Sequence, residues 1–353
     1  MAHNIFKLMR DGIPPLLAGI ETKEQFEDKM RGIRKTWLDC IGGIPERVPV
    51  RCEVLSETKE SDHIRQHLVY DTVHGDRVTA FLLIPTEEGG TAARPAKPLP
   101  AILALQPTNE KGKADIALAD GKTNRMYALE LVSRGYVVLA PDAMTSGERI
   151  FAGHKYFNSL PFYEQHPNWS TVAKNIVDHM QGVDLLCSLS FVAADRIGTI
   201  GHSFGGYNAF FLAGMDARIK AVVCSCGFSP FAGDLRPTHW GWRENEKKAG
   251  AGSYTHLPKI SGELSRGTVP FEFHEIVALA APVPFLNYSG QSDTIFPHWQ
   301  SIGEAMKDLY GLYKWLGADD RFQSMLGVKE HDFPPEIRLL AYDFLDRWLS
   351  GPL

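Results

Sequence analysis

Short apolar segments that alternate with helical patterns limit how this chain can fold more than any other feature. The nearly continuous apolar segments, each of strand length, are 101–106, 136–142, 197–203, 220–226 and 283–290. A strand that is apolar throughout must be covered on both faces, as happens in parallel sheets with helices on either side. Helical patterns at 126–135, 170–189 and 336–349 separate these segments. We therefore predict an α/β fold with a mostly parallel, doubly wound sheet.

The N-terminal part of the chain departs from this pattern. Residues 67–73 and 77–85 read as a hairpin, which predicts antiparallel strands at one edge of the sheet. Residues 21–41 have the periodicity of an amphipathic helix, with Thr22 and Gln25 spaced as a capping box.

Two units follow from these patterns. We expect residues 1–50 to form a helical segment packed on the body, and residues 51–353 to form a single domain.

Residues 228–283 interrupt the alternation of strands and helices. They contain Trp240, Trp242 and His274, a charged run at 244–248 and a glycine-alanine stretch at 249–253. We predict an insertion of the cap type that lies over the strand ends. The two tryptophans and His274 are candidates to contact a substrate there, and burial in the core is the alternative for each.

Composition excludes several classes of function. The net charge is −5, and the 37 lysines and arginines are scattered, so no basic surface for nucleic acid is expected. No apolar run has transmembrane length and no signal peptide is evident, so we expect no membrane contact. Five cysteines cannot all pair, which favours reduced, buried thiols in a cytoplasmic protein. Whether the chain forms a homo-oligomer is left open.

Metal and cofactor motifs are missing from the sequence. It has no His-Glu-x-x-His, paired Cys-x-x-Cys or EF-hand pattern, and no lysine-bearing phosphate loop. We therefore predict no cofactor and no metal.

One strand runs directly into a helix through Gly-His-Ser-Phe-Gly at residues 201–205. A turn this tight brings the positions two before and two after the serine together, and Gly201 and Gly205 are small enough to allow it. The turn exposes the serine side chain and aims the start of the next helix at it. This context predicts that Ser203 is a nucleophile.

A serine hydroxyl needs a base, and the best candidate is His331. It follows the strand-like stretch 321–328 and precedes the last helix, so it belongs to a loop at the carboxyl end of a strand. His202 precedes the serine and is expected to pack beside the turn. His239 and His256, in the insertion, are candidates to line a pocket, with structural roles as the alternative.

The acid that orients this histidine should follow another strand. Asp293 comes just after the strand 283–290, and its position gives the order Ser, Asp, His along the chain. Asp142 ends an earlier strand and is the rival. Asp234 lies well past the end of its strand.

Two backbone N–H groups are expected to stabilise an oxyanion. One belongs to Phe204, directly after the serine, and the other to the loop after the strand 101–106. Thr108 is the candidate in that loop, since Pro107 has no N–H.

The chain resembles the α/β-hydrolase superfamily, in particular its branch similar to dienelactone hydrolases and acetyl xylan esterases. The segments that carry the resemblance are LALQPTNEKGK, YALELVSRGYVVLAPD, DRIGTIGHSFGG, PFEFHEIVALAAPVPFLNYSGQSDTIFP and EHDFPPEIRLLAYDFLDRWL, within about residues 65–353. The resemblance implies the same nucleophile, acid, base and oxyanion donors. Two departures weaken the transfer of a substrate: related esterases often carry histidine where Gln106 stands, and dienelactone hydrolases use cysteine in place of Ser203. Gln106 remains a candidate substrate-binding residue.

These residues predict a serine-dependent hydrolase of carboxylic esters that forms an acyl-enzyme. A short acyl or sugar acetyl ester is suggested by the resemblance alone. One alternative is a peptidase or amidase of the prolyl-oligopeptidase type, although roughly 65 residues before the body cannot form the propeller that such a resemblance brings. The other is a non-catalytic binding protein on the same fold.

Overall fold

The structure is a computed structural model that describes residues 2–86, 95, 97–242 and 254–350. The charged run at 244–248 and the whole stretch at 249–253 belong to the part of the insertion outside these residues.

The described residues form one nine-stranded sheet, ordered β9-β8-β7-β6-β4-β5-β3-β2-β1. The strands are β1 Cys52–Lys59, β2 His63–Asp71, β3 Arg77–Pro85, β4 Leu99–Leu105, β5 Val137–Pro141, β6 Val192–His202, β7 Ile219–Ser225, β8 Phe285–Gly290 and β9 Phe322–Gly327. Neighbouring strands run parallel from β5 through β4, β6, β7 and β8 to β9. The pairs β1–β2, β2–β3 and β3–β5 are antiparallel. The mostly parallel sheet with antiparallel strands at one edge is thus confirmed.

Helices cover both faces of this sheet. They are α1 Ile5–Asp11, α2 Lys23–Ile41, α3 Ala114–Ala117, α4 Tyr127–Ser133, α5 Leu160–Gln165, α6 Thr171–Ser188, α7 Phe204–Met215, α8 Ile260–Ser265, α9 Phe273–Ala278, α10 Trp299–Trp315 and α11 Pro335–Leu349. The central strands β5 and β8 are buried along their whole length, because helices pack on either side of them. Two buried clusters of apolar side chains, one on each face, form the core.

Strand β1 was not predicted from the sequence. All its residues are exposed, so it lacks the apolar face by which a strand is recognised. Its pairing with β2, interrupted by a bulge between Val54 and Ser56, holds it at the sheet edge. Cys52 therefore lies exposed, contrary to the expectation of buried thiols, although all five cysteines are unpaired.

The N-terminal helix forms where the periodicity predicts it. Thr22 caps α2, and Gln25 completes the capping box. Gly42 ends the helix in a left-handed conformation, with a φ of 91° that favours glycine. The buried side of α2 places Trp37 against Phe211 of α7 and Phe271.

The described part of the insertion contains α8, α9 and a short 3₁₀ turn at Pro237–Trp240. Its two-residue strand Thr268–Val269 pairs with His3–Asn4 near the N-terminus. Among the described residues, none of the helices combines the length and apolar character needed to cross a lipid bilayer.

Candidate active site

The turn between β6 and α7 holds Ser203 in a rare backbone conformation. Its φ is 55° and its ψ is −116°, which exposes the side chain at the tip of the turn. A Cβ on Gly201 would lie 2.2 Å from the backbone of Gly205, and a Cβ on Gly205 would lie 2.0 Å from the carbonyl oxygen of Leu105. Both glycines are therefore required by close backbone approach, as the sequence pattern predicts.

The structure brings Ser203, His331 and Asp293 together. The hydroxyl oxygen of Ser203 lies 2.7 Å from Nε2 of His331, and Nδ1 of the same ring lies 2.6 Å from Oδ2 of Asp293. A carboxylate can only accept a hydrogen bond, so Nδ1 donates to Asp293. Nε2 is then left to accept from the serine hydroxyl, which is the arrangement required of a general base.

Asp293 is held so that its carboxylate faces the histidine. Its Oδ1 accepts hydrogen bonds from the N–H groups of Ile295, at 2.7 Å, and Phe296, at 3.0 Å. Burial alone would raise the pKa of Asp293, but the hydrogen bond and charge of His331, together with these amides, outweigh burial and lower it. The carboxylate is therefore ionised at neutral pH.

The rival carboxylates have other partners. Asp142, at the end of β5, accepts from Nζ of Lys113 at 2.6 Å, the amide of Lys113 at 2.8 Å and the hydroxyl of Thr79 at 2.7 Å. Asp234 accepts from the amide of Arg236 at 2.8 Å. Neither is the partner of His331.

His202 packs beside the turn, as predicted. Its Nδ1 lies 3.0 Å from the hydroxyl of Ser225, and its ring centroid lies 5.0 Å from that of His331. Complete burial, and then the neighbouring His331, lower the pKa of His202 well below its ordinary value, so the ring is neutral.

The two predicted oxyanion donors lie close to the serine. Phe204 is the first residue of α7, so its N–H has no acceptor within the helix. Thr108 lines the same cavity as Ser203. Its loop is braced by Asn109, whose side chain accepts from the amide of Gly112 and donates to the carbonyl of Pro107. Their role as donors stays a prediction.

A cavity of about 560 Å³ opens above Ser203. Its walls combine aromatic, apolar and cationic side chains: Pro107, Thr108, Arg125, Phe157, Tyr207, Arg236, Thr238, His239, Trp240, His256, Ile295, Phe296 and His331. Trp240 therefore lines the cavity, as predicted. The hydroxyl of Tyr207 lies 2.7 Å from Nε2 of His256, which fixes both side chains in the wall.

Several of these wall residues were not singled out from the sequence. Phe157 lies in the irregular segment before α5, and Tyr207 lies on α7. Aromatic residues at such positions are usual in a core, so only the spacing of Tyr207, one turn past Ser203, could have identified one of them.

Three predicted substrate-binding residues lie outside this cavity, and those predictions are corrected here. Gln106 is buried behind the turn, beside His179 and Asn208. Trp242 packs on Tyr163, with ring centroids 4.8 Å apart.

His274 is the third correction. It lies fully buried on α9, where its Nε2 donates to the carbonyl of Pro14 at 2.9 Å. Burial lowers the pKa of His274 to about 4. A histidine that ties the N-terminal segment to the body looks, in the sequence, the same as one that lines a pocket.

Comparison with known proteins agrees with this architecture. The profile of the prolyl oligopeptidase family matches residues 123–303, a range that includes Ser203 and Asp293. A protein of Bacillus subtilis (strain 168) named "Putative hydrolase YtaP" is 28% identical over 320 residues, which cover 90% of this chain and 98% of that protein.

Solved structures of low sequence identity share the fold. A glucuronoyl esterase from Solibacter usitatus superimposes with a TM-score of 0.67 at 18% identity, covering 92% of this chain and 93% of its own. A "putative acetyl xylan esterase" from Bacteroides fragilis NCTC 9343 gives a TM-score of 0.64 at 19% identity, covering 91% and 80%. The resemblance to the α/β-hydrolase superfamily is confirmed. The chain belongs to the prolyl oligopeptidase family and is a serine hydrolase with the α/β-hydrolase fold.

Proposed function

We propose that this protein hydrolyses carboxylic esters through an acyl-enzyme formed on Ser203. The observation that carries the proposal is the chain of hydrogen bonds from Ser203 to His331 to Asp293 at the floor of the cavity. Nε2 of His331 accepts the serine proton while the serine oxygen attacks the acyl carbon. The alcohol then leaves with that proton, and a water activated by the same histidine cleaves the acyl-enzyme.

Asp293 and the backbone amides complete the mechanism. Asp293 holds Nδ1 of His331 and stabilises the imidazolium that forms in each half-reaction. The N–H groups of Phe204 and Thr108 donate to the negative oxygen of the tetrahedral intermediate.

Esters of short acyl groups, including acetylated sugars, are the proposed substrates. The aromatic wall formed by Phe157, Tyr207 and Trp240 suits a ring-shaped alcohol such as a sugar. The likeness to structures named glucuronoyl esterase and acetyl xylan esterase supports the same class.

A peptidase or amidase is the second candidate, and the family match favours it. The same array can cleave amides, and the two functions differ in the leaving group. The experiment compares 4-nitrophenyl esters of increasing acyl length with aminoacyl-anilides, using Ser203→Ala as the control. Turnover of short esters alone supports the esterase, and turnover of anilides alone supports the peptidase. A protein that is inert to both and is not labelled by a fluorophosphonate is a binding protein.

A further inference from the structure

One buried thiol lies against the proposed catalytic array without a part in its mechanism. Cys226, Asp293 and His331 each place one ligand atom within 4.8 Å of the others. Among the described residues, these three side chains form the group of histidine, cysteine and acidic residues whose ligand atoms are close enough together to hold a metal ion. Sulfur, imidazole nitrogen and carboxylate oxygen together are a donor set that zinc accepts.

The backbone fixes the position of this thiol. Cys226 directly follows β7 and has a φ of 44°, which turns the chain away from the strand direction. Its N–H donates to the carbonyl of Tyr288 in β8 at 2.7 Å. Its Sγ lies 3.4 Å from the carbonyl oxygen of Asp332, next to the histidine. The thiol is therefore held beneath the loop that carries His331.

The geometry is close to that of a three-ligand zinc site. Ligand atoms at about 2.0–2.3 Å from a tetrahedral zinc ion lie roughly 3.5 Å from one another. Nδ1 of His331 and Oδ2 of Asp293 are 2.6 Å apart and have to separate by about 1 Å to reach that spacing, and the three ligand atoms lie within 4.8 Å of one another. Three protein ligands leave a fourth position for water, as in open zinc sites.

Solvent reaches one member of the cluster, His331, whereas Cys226 and Asp293 are buried. His331 lines the substrate cavity and also a second, more open cavity of about 630 Å³. Glu330 and Asp332 line this second cavity and attract cations, although Lys122 and Lys329 lie there as well.

We propose that a zinc ion, or another thiol-binding divalent cation such as cadmium, binds to Cys226, Asp293 and His331 and inhibits the enzyme. Binding replaces the proton of the Cys226 thiol, which passes to solvent. The ion takes Nδ1 of His331, the ring nitrogen that faces Asp293, since Nε2 faces Ser203. The ring proton then moves from Nδ1 to Nε2. With a proton on Nε2, the histidine can no longer accept the serine proton.

Burial keeps the thiol unreactive while no ion is bound, and an ion must displace the thiol proton in order to bind. Cys226 is 1% exposed, and its burial raises the pKa of the thiol to about 12. It is thus protonated and unreactive at neutral pH. The inhibitory effect rests on the proposed function, whereas the binding of the ion does not.

The first test measures binding without activity. Cadmium chloride added to the metal-free protein should produce the ultraviolet absorption of a thiolate-cadmium bond, saturating at one ion per chain. Cys226→Ser and His331→Ala should each weaken the binding by at least about tenfold, since even supporting residues of metal sites contribute 10–100-fold. The control variants Cys52→Ser and Cys187→Ser should retain it. Absence of the absorption in the wild-type protein, or its persistence in Cys226→Ser, would overturn the proposal.

The second test measures inhibition of 4-nitrophenyl acetate hydrolysis by zinc chloride. Cys226→Ala should leave metal-free turnover unchanged and raise the half-inhibitory zinc concentration by at least about tenfold, whereas Cys187→Ala should not change it. Equal zinc sensitivity of the two variants contradicts the site. If the protein shows no ester turnover, the proposed function is refuted instead. The cadmium absorption then shows by itself whether the three residues bind an ion.

Discussion

Two buried aspartates follow strands of the same sheet, yet their surroundings give them different roles. Asp142, 1% exposed, is paired with Lys113. Asp293, 3% exposed, is paired with His331. The ammonium group of Lys113 can only donate hydrogen bonds, so Asp142 belongs to a structural ion pair. The ring of His331 has two nitrogens, one that donates to Asp293 and one that can accept from Ser203, so the partner of Asp293 can carry protons through a reaction.

Asp142 also contacts the loop that carries Thr108. Its carboxylate accepts from the amide of Lys113 and lies beneath the loop that carries Thr108. Gly112 and Gly147 each approach the carboxylate so closely that an added Cβ would lie within about 2.2 Å of Oδ1. In the proposed mechanism, one aspartate orients the base and the other anchors the oxyanion loop. The role of a carboxylate at a strand end therefore depends on the side chain with which it pairs.

The largest expected effect is that of Asp293→Asn on turnover. We expect kcat/KM for 4-nitrophenyl acetate to fall about 10⁴-fold, because asparagine cannot hold His331 in the tautomer that accepts the serine proton. Ser203→Ala sets the background rate. If Asp142→Asn abolishes turnover in a folded protein and Asp293→Asn does not, the roles of the two aspartates are exchanged.

The next effect concerns stability. Asp142→Asn removes the buried one of the two carboxylates that pair with Lys113 and leaves only the half-exposed Glu148, and we expect the free energy of unfolding to fall by about 3 kcal/mol. Asp293→Asn should cost much less, because Asp293 is the partner of a histidine and of no lysine or arginine. Chemical denaturation of both variants measures the difference. Equal losses would show that the contrast between the two pairs is not electrostatic.

Removal of one backbone donor tests the loop that Asp142 anchors. Thr108→Pro lacks the N–H, and we expect kcat to fall about 10²–10³-fold with the fold intact. Thr108→Ala keeps the N–H and is the control. Full activity of the proline variant, measured by steady-state ester hydrolysis, would place the second donor elsewhere in the loop.

The smallest expected effect separates two tryptophans of the insertion. Trp240 lines the cavity, and its buried Nε1 has no hydrogen-bond partner among the described residues. Trp240→Phe should raise KM by about two- to tenfold through the loss of aromatic contact area in the cavity wall. Trp242→Phe should leave KM unchanged, because Trp242 lies outside the cavity. An equal rise in both variants would mean that the effect comes from packing of the insertion.

Features with a local physical cause were predictable. The capping box of α2 forms at Thr22 because it needs residues only three positions apart. The turn at Ser203 forms because Gly201 and Gly205 alone permit its close contacts. The parallel order of the buried strands follows from their apolar character on both faces.

Features that depend on distant contacts were not predictable in the same way. Strand β1 has no apolar face, so its pairing with β2 had no local signal. Trp242 and His274 were assigned to a substrate site because they lie in the insertion, yet one packs on Tyr163 and the other donates to Pro14.

The sequence by itself determined the α/β architecture, the strained serine turn and the order of serine, aspartate and histidine along the chain. These depend on periodicity and on steric limits within a few residues. Only the tertiary structure decided which carboxylate meets His331, which side chains form the cavity and that Cys226 lies beside the proposed catalytic residues. Those outcomes depend on which strand ends and loops lie close together in the folded protein. Residues far apart in the sequence make these contacts, so no local sequence pattern predicts them.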